Sequence, residues 1–251
     1  MNRDVGLPPG LPKSSGSKLN LSQIYFPKLK GTAGEARAIK AILPRATLLT
    51  GAQATESALK QLHSPGILHI ATHGFFLRDQ ELKLVGGRDV GSATVRSVGA
   101  TGQQIENPLL RSGLALAGAN LRLGRADQVD DGILTALEAA GLDLFGTKLV
   151  SLSACDTGVG EVKNGEGVFG LRRALALAGS ETQIMSLWPV SDLSTRDLMI
   201  EYYKRLRRGE GRGDGLRRAQ LEILKGKSRR HPFYWASFIQ SGEWANLEGK
   251  R

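Results

Sequence analysis

Two kinds of segment alternate along this chain: short apolar runs bounded by glycine, and longer runs with apolar residues every three or four positions. "GILHIATHG" is flanked by glycines and too apolar for an edge, so it predicts a strand buried on both faces. "ATLLTG", "KLVSLSAC" and "TQIMSLWPV" predict further strands, "GLALAGAN" a short one, and "FYWASFIQSG" a last one near the C-terminus. Helical spacing marks "ATESALKQLHS", started by Thr55 and ended before Pro65, and "DGILTALEAAGLDL", entered through Asp131. It recurs in "GVFGLRRALALAGS", "STRDLMIEYYKRLRRG" and "GDGLRRAQLEILKGK". Strands alternating with helices predict an α/β fold, with a mostly parallel central sheet and helices on both faces.

Two regions fall outside this alternation. Residues 1–20 combine Pro, Gly, Ser and Lys with little to bury and read as a flexible N-terminal linker or tail, leaving 21–251 as the domain. The stretch 78–108 is glycine-rich and weakly periodic, and predicts a long surface loop with a small hairpin. No internal repeat is visible.

Composition narrows the setting. The 251 residues, 41% hydrophobic, can bury the core of one α/β domain. A single cysteine excludes an internal disulfide. No run approaches the roughly 18 apolar residues of a membrane helix, and the N-terminus lacks the basic-then-apolar order of a signal peptide. The expected setting is cytoplasmic, with no membrane. The net charge of +10 concentrates in "YYKRLRRGEGRGDGLRRAQ" and "KGKSRRH". No aromatics interleave with those cations to make a stacking platform, so the arginines read as a solvated helix face and nucleic acid is not an expected partner.

The chemistry-bearing residues sit at strand ends, where ligands gather in open α/β sheets. His73 follows "LHIAT" and Cys155 follows "LVSLSA". If their strands are parallel and adjacent, imidazole and thiol share one rim. The imidazole could then take the thiol proton and raise the thiolate fraction. Gly74 would let a substrate backbone approach, and the N–H groups of Gly74 and Cys155 could stabilise an oxyanion. Each residue also has a plain reading: Cys155 as inert packing, His73 as a satisfied polar group near the core.

Three other motifs compete. "GEGVFG" (Gly165 to Gly170) matches a dinucleotide-binding fingerprint, but "DTGVGEVKN" separates it from its strand. His69 and His73, four apart on a strand, stand roughly 13 Å from one another, too far for one metal. That makes His69 a structural or supporting residue, and neither metal nor cofactor is expected. "GRGDG" (Gly211 to Gly215) reads as a turn between helices.

Taken together, "LHIATHGFF", "NPLLRSGLALAGAN", "DGILTALEAAGLDL", "LVSLSACDTGVGEVKNGEGVFGLRRALALAGS", "SLWPVSD" and "HPFYWASFIQSGEW" resemble the CHAT domain, a relative of caspases and separases. The resemblance runs from about residue 20 to 247 in the family's order. It implies a caspase-like three-layer sandwich and a Cys-His dyad, with His73 after "H-x-A-T" and Cys155 in "S-A-C". It further implies an endopeptidase acting on a protein or peptide, in bacterial regulation or defence, and controlled by a tetratricopeptide-repeat regulator in cis or in trans. A non-catalytic caspase-like scaffold is the alternative. "SLWPVSD" resembles the separase pattern L-W-x-V-T-D, in which the aspartate helps hold an arginine before the cut; on this chain that residue is Asp192. Asp192 could equally cap the helix that begins beside it. The loop from Asp156 to Gly167 is expected to be mobile and to order on substrate binding.

Overall fold

The computed structural model describes residues 24–76, 108–121, 130–153, 166–188, 191–226 and 228–250. The expected tail over 1–20, nearly all of the expected loop over 78–108, and residues 156–165 of the expected substrate-ordered loop lie outside them.

The central sheet contains β1 (Ile67–Ile70), β5 (Leu149–Leu152), β6 (Thr182–Ser186) and β7 (Phe238–Gly242), in the order β1-β5-β6-β7. The first three are parallel, and β7 runs antiparallel along β6. All four residues of β5 are buried, and the two-residue period divides them between faces. Val150 and Leu152 join Leu68, Ile70 and Met185 in a core with α3 (Ala136–Ala139) and α4 (Glu166–Leu177). Leu149 and Ile184 point the other way. There they meet α1 (Thr32–Ile42), α5 (Asp192–Arg207) and α6 (Arg212–Lys225), through Ile39, Leu198, Met199, Tyr202 and Leu216. Each fully buried Leu or Ile contributes about 1.5–3 kcal/mol of transfer free energy, so both helical layers are held by the strands they cover. The result is a three-layer α/β sandwich around a mostly parallel sheet, as expected.

Several elements differ from the sequence reading. "GILHIATHG" is two strands in two sheets. After β1 the chain turns at Ala71 and Thr72, where the Thr72 hydroxyl donates to the Ala115 carbonyl, and β2 (His73–Phe76) enters a separate antiparallel sheet. That sheet, β2-β3-β4, pairs β2 with β3 (Ser112–Ala115) and β3 with β4 (Ile133–Thr135). "DGILTALEAAGLDL" is β4 followed by the four-residue α3, because β-branched Ile133 and Thr135 sit in the sheet. Thr135 then closes a capping box with Glu138, and Asp131 instead accepts the N–H of Ile133 in the turn before β4.

"ATLLTG" pairs with no strand among the described residues, and Leu48 and Leu49 are 37% and 43% exposed. Helix α1 was not expected at all. Thr55 does cap α2 (Glu56–Lys60), accepting from Ala58 N. "GRGDG" is mostly the first turn of α6, with Arg212 buried and donating to the carbonyls of Ala245 and Lys148. "GEGVFG" lies almost wholly in α4, so it is not a phosphate loop.

Candidate active site

The sequence reading put His73 at the end of a strand parallel to the one before Cys155; the structure instead places His73 in β2 of the antiparallel sheet, and the parallel neighbours are the preceding strands, β1 and β5. Ile70 pairs with Leu152 at the last rung, and the Ser153 N–H extends the ladder to the Ile70 carbonyl at 2.8 Å. Three residues beyond Ile70 comes His73; two residues beyond Ser153 comes Cys155, itself outside the described residues.

His73 is 6% exposed at the start of β2, paired with Ala115. Its Nε2 lies 2.6 Å from the Pro27 carbonyl, and its ring centroid 5.7 Å from that of Phe26. A carbonyl can only accept, so Nε2 carries the proton and donates. In the neutral ring Nδ1 is then the nitrogen with the lone pair, the one able to take a proton. Gly74 follows within β2, opposite Leu114.

Asp192 begins α5. Its Oδ2 accepts the Gly31 N–H at 3.0 Å, so the carboxylate ties down the start of α1 rather than capping its own helix. The approach is close: a Cβ on Gly31 would stand 2.5 Å from the Asp192 Cβ, so no side chain fits there.

One stretch, 24–35, thus touches His73 through Phe26 and Pro27 and Asp192 through Gly31. It also reaches Ser153, because the Ser153 hydroxyl donates to Glu35 Oε2 at 3.1 Å. Glu35 Oε1 lies 3.1 Å from His69 Nε2, within ion-pair distance but not aligned as a hydrogen bond. His69 Nδ1 lies 3.1 Å from the Tyr203 hydroxyl, whose phenol burial pushes well above its ordinary range. His69 therefore faces α1 and α5 as a supporting residue. Among the described residues no group of three His, Cys, Asp or Glu could hold a metal ion, and no helix is long and apolar enough to cross a membrane. Pro27, Glu35 and Ser153 were not singled out from the sequence. A backbone carbonyl leaves no sequence signal, and Glu35 would have stood out only if α1 had been recognised.

The CHAT domain family model matches residues 2–243. Tetratricopeptide repeat protein 28 of Homo sapiens is 30% identical over 115 residues, and its Mus musculus counterpart 31% over the same length. Those 115 residues are 46% of this chain, and the chain spans about a twentieth (5%) of the length of these relatives. With the three-layer sandwich around a mostly parallel sheet, a match over nearly the whole sequence assigns the family: this chain belongs to the CHAT domain family, a caspase-like peptidase type.

Proposed function

We propose that the chain is a caspase-like cysteine endopeptidase, with Cys155 as nucleophile and His73 as base. The observation that supports this best is the His73 tautomer. Nε2–H donates to the Pro27 carbonyl, which makes Nδ1 the ring nitrogen able to accept a proton, and His73 and Cys155 each follow the paired ends of β1 and β5 by three residues. In the reaction, Nδ1 takes the thiol proton and the thiolate adds to the scissile carbonyl carbon. The backbone N–H groups of Gly74 and Cys155 stabilise the resulting oxyanion. As the oxyanion collapses, the C–N bond breaks and the imidazolium gives its proton to the leaving amine. Water, deprotonated by the same Nδ1, then hydrolyses the thioester and restores the thiol. Asp192 is the residue that selects an arginine before the cut: one carboxylate oxygen is held by Gly31, and the other remains to face a guanidinium.

The role is regulation or defence, under a tetratricopeptide-repeat regulator in cis or in trans; the relatives named above carry that repeat in their name. A peptidyl acyloxymethyl ketone tests the chemistry. It should label Cys155 in the wild type, slowly or not at all in His73→Ala, and fluorogenic peptides should be cut by neither Cys155→Ala nor His73→Ala. Full cleavage by Cys155→Ala refutes the peptidase reading. A wild type that neither labels nor cleaves favours the scaffold alternative.

A further inference from the structure

Glu35 is 2% exposed beneath the rim, and nothing in the proposed chemistry uses its carboxylate. It lies on the face of α1 that packs against α5, one turn before Ile39 of the core. Taking a carboxylate out of water is unfavourable unless partners replace the solvent, and a leucine or methionine would cover the same core without that cost. The partners of Glu35 are not scattered. Ser153, 5% exposed, immediately follows β5 and precedes Cys155 by two residues. His69 lies in β1, four residues before His73, and leans on the fully buried Tyr203. One carboxylate therefore spans the two adjacent strands that lead to the two proposed reacting residues, from the face opposite Leu152 and Ile70.

We infer that Glu35 is a positioning residue: its carboxylate clamps Ser153 at the end of β5 and His69 in β1, fixing the last described residue before the proposed nucleophile against the strand that leads to His73. The inference rests on the peptidase reading for its purpose, but not for its test. The chain has one cysteine, so iodoacetamide alkylation reports on Cys155 alone, whether or not peptides are cut. Two folded variants address the clamp from its two sides. Ser153→Ala removes only the hydroxyl, and Glu35→Gln keeps the shape and removes the charge.

In both variants kcat should fall about tenfold with KM within about twofold of wild type, the pattern of a misaligned reacting group rather than a lost binding contact. Alkylation of Cys155 should slow about threefold or more. A folded Ser153→Ala with kcat and alkylation unchanged overturns the clamp, as does a rise in KM at unchanged kcat. Should Glu35→Gln not fold, Ser153→Ala decides alone. Should the wild type cut no peptide, the peptidase reading fails by itself, and the alkylation comparison still decides whether the clamp orients the thiol.

Discussion

Asp192 offers the sharpest test, because its anchoring bond and its proposed substrate contact can be separated. Oδ2 accepts the Gly31 N–H at 3.0 Å and secures the start of α1, while the proposed recognition of arginine needs the negative charge. Asp192→Asn keeps an amide oxygen for Gly31 and loses the charge; Asp192→Ala loses both. A hydrogen bond to a charged acceptor contributes about 1.5 kcal/mol, so the alanine variant should lose about that much stability. The asparagine variant should lose less than about 0.5 kcal/mol. Losing a paired guanidinium contact in the transition state costs about 2 kcal/mol, or roughly 30-fold in kcat/KM. Urea unfolding and a matched pair of fluorogenic peptides, one with arginine and one with leucine before the cut, measure both effects. The expected result is a near-native Asp192→Asn that has lost about 30-fold on the arginine peptide and less than about threefold on the leucine peptide. An Asp192→Asn that falls equally on both peptides, or a wild type that prefers leucine, refutes the arginine pocket and leaves Asp192 as an anchor for α1.

Other outcomes follow from packing and charge. A Cβ on Gly113 would stand 2.4 Å from the Leu134 carbonyl and 2.7 Å from the buried Phe75 ring. Gly113→Ala should therefore destabilise by about 2 kcal/mol or more in chemical denaturation, and near-wild-type stability would contradict the packing of β2, β3 and β4. His73→Ala should cost about 1 kcal/mol, since it removes the hydrogen bond from the buried His73 ring to the Pro27 carbonyl, whereas Cys155→Ala should barely move the thermal midpoint. Lys148, and after it Arg212, hold the Glu181 carboxyl below the ordinary value of 4.5. With the folded pKa lower than the unfolded one, this ion pair's contribution is full above about pH 4.5 and drains away as pH falls through the folded pKa. Glu181→Gln should flatten that acid limb of the stability curve, and an unchanged limb would rule the contribution out.

The sheet was legible in the sequence because strands covered on both faces must be apolar at nearly every position; "KLVSLSA" and "TQIMSLWPV" could hardly be anything else. The same rule misleads where burial is not the cause. "ATLLTG" has the composition of a strand, but its leucines remain partly exposed, and Lys40 donates to the Pro44 carbonyl before it and to the carbonyl of Ala46, its first residue. The break within "GILHIATHG" depends on Thr72 bonding to Ala115, a contact 43 residues away that no local pattern encodes. The Thr135-Ala-Leu-Glu138 capping box, by contrast, stood in the sequence and would have split "DGILTALEAAGLDL" correctly. Near the candidate site, the neighbouring β1 and β5 were legible as apolar strands, but the placement of His73 in a second sheet was not. The segment 24–35 was not, because it acts through a carbonyl, an amide and one buried acid.

That segment has a consequence for when the protein could become active during its synthesis. Its contacts to His73, Ser153 and Asp192 span 46, 118 and 161 residues. A ribosome releases the chain from its N-terminus at only about 5–20 residues per second, so the segment emerges first and its last contact must wait for α5. Until then Gly31 has no carboxylate to hold it, and the Tyr203 hydroxyl that supports His69 in the clamp is missing. A nascent chain that already carries His73 and Cys155 therefore still lacks the anchors of the proposed site. The long sequence separation delays the proposed activity until α5 has been made, well after both proposed reacting residues have left the ribosome.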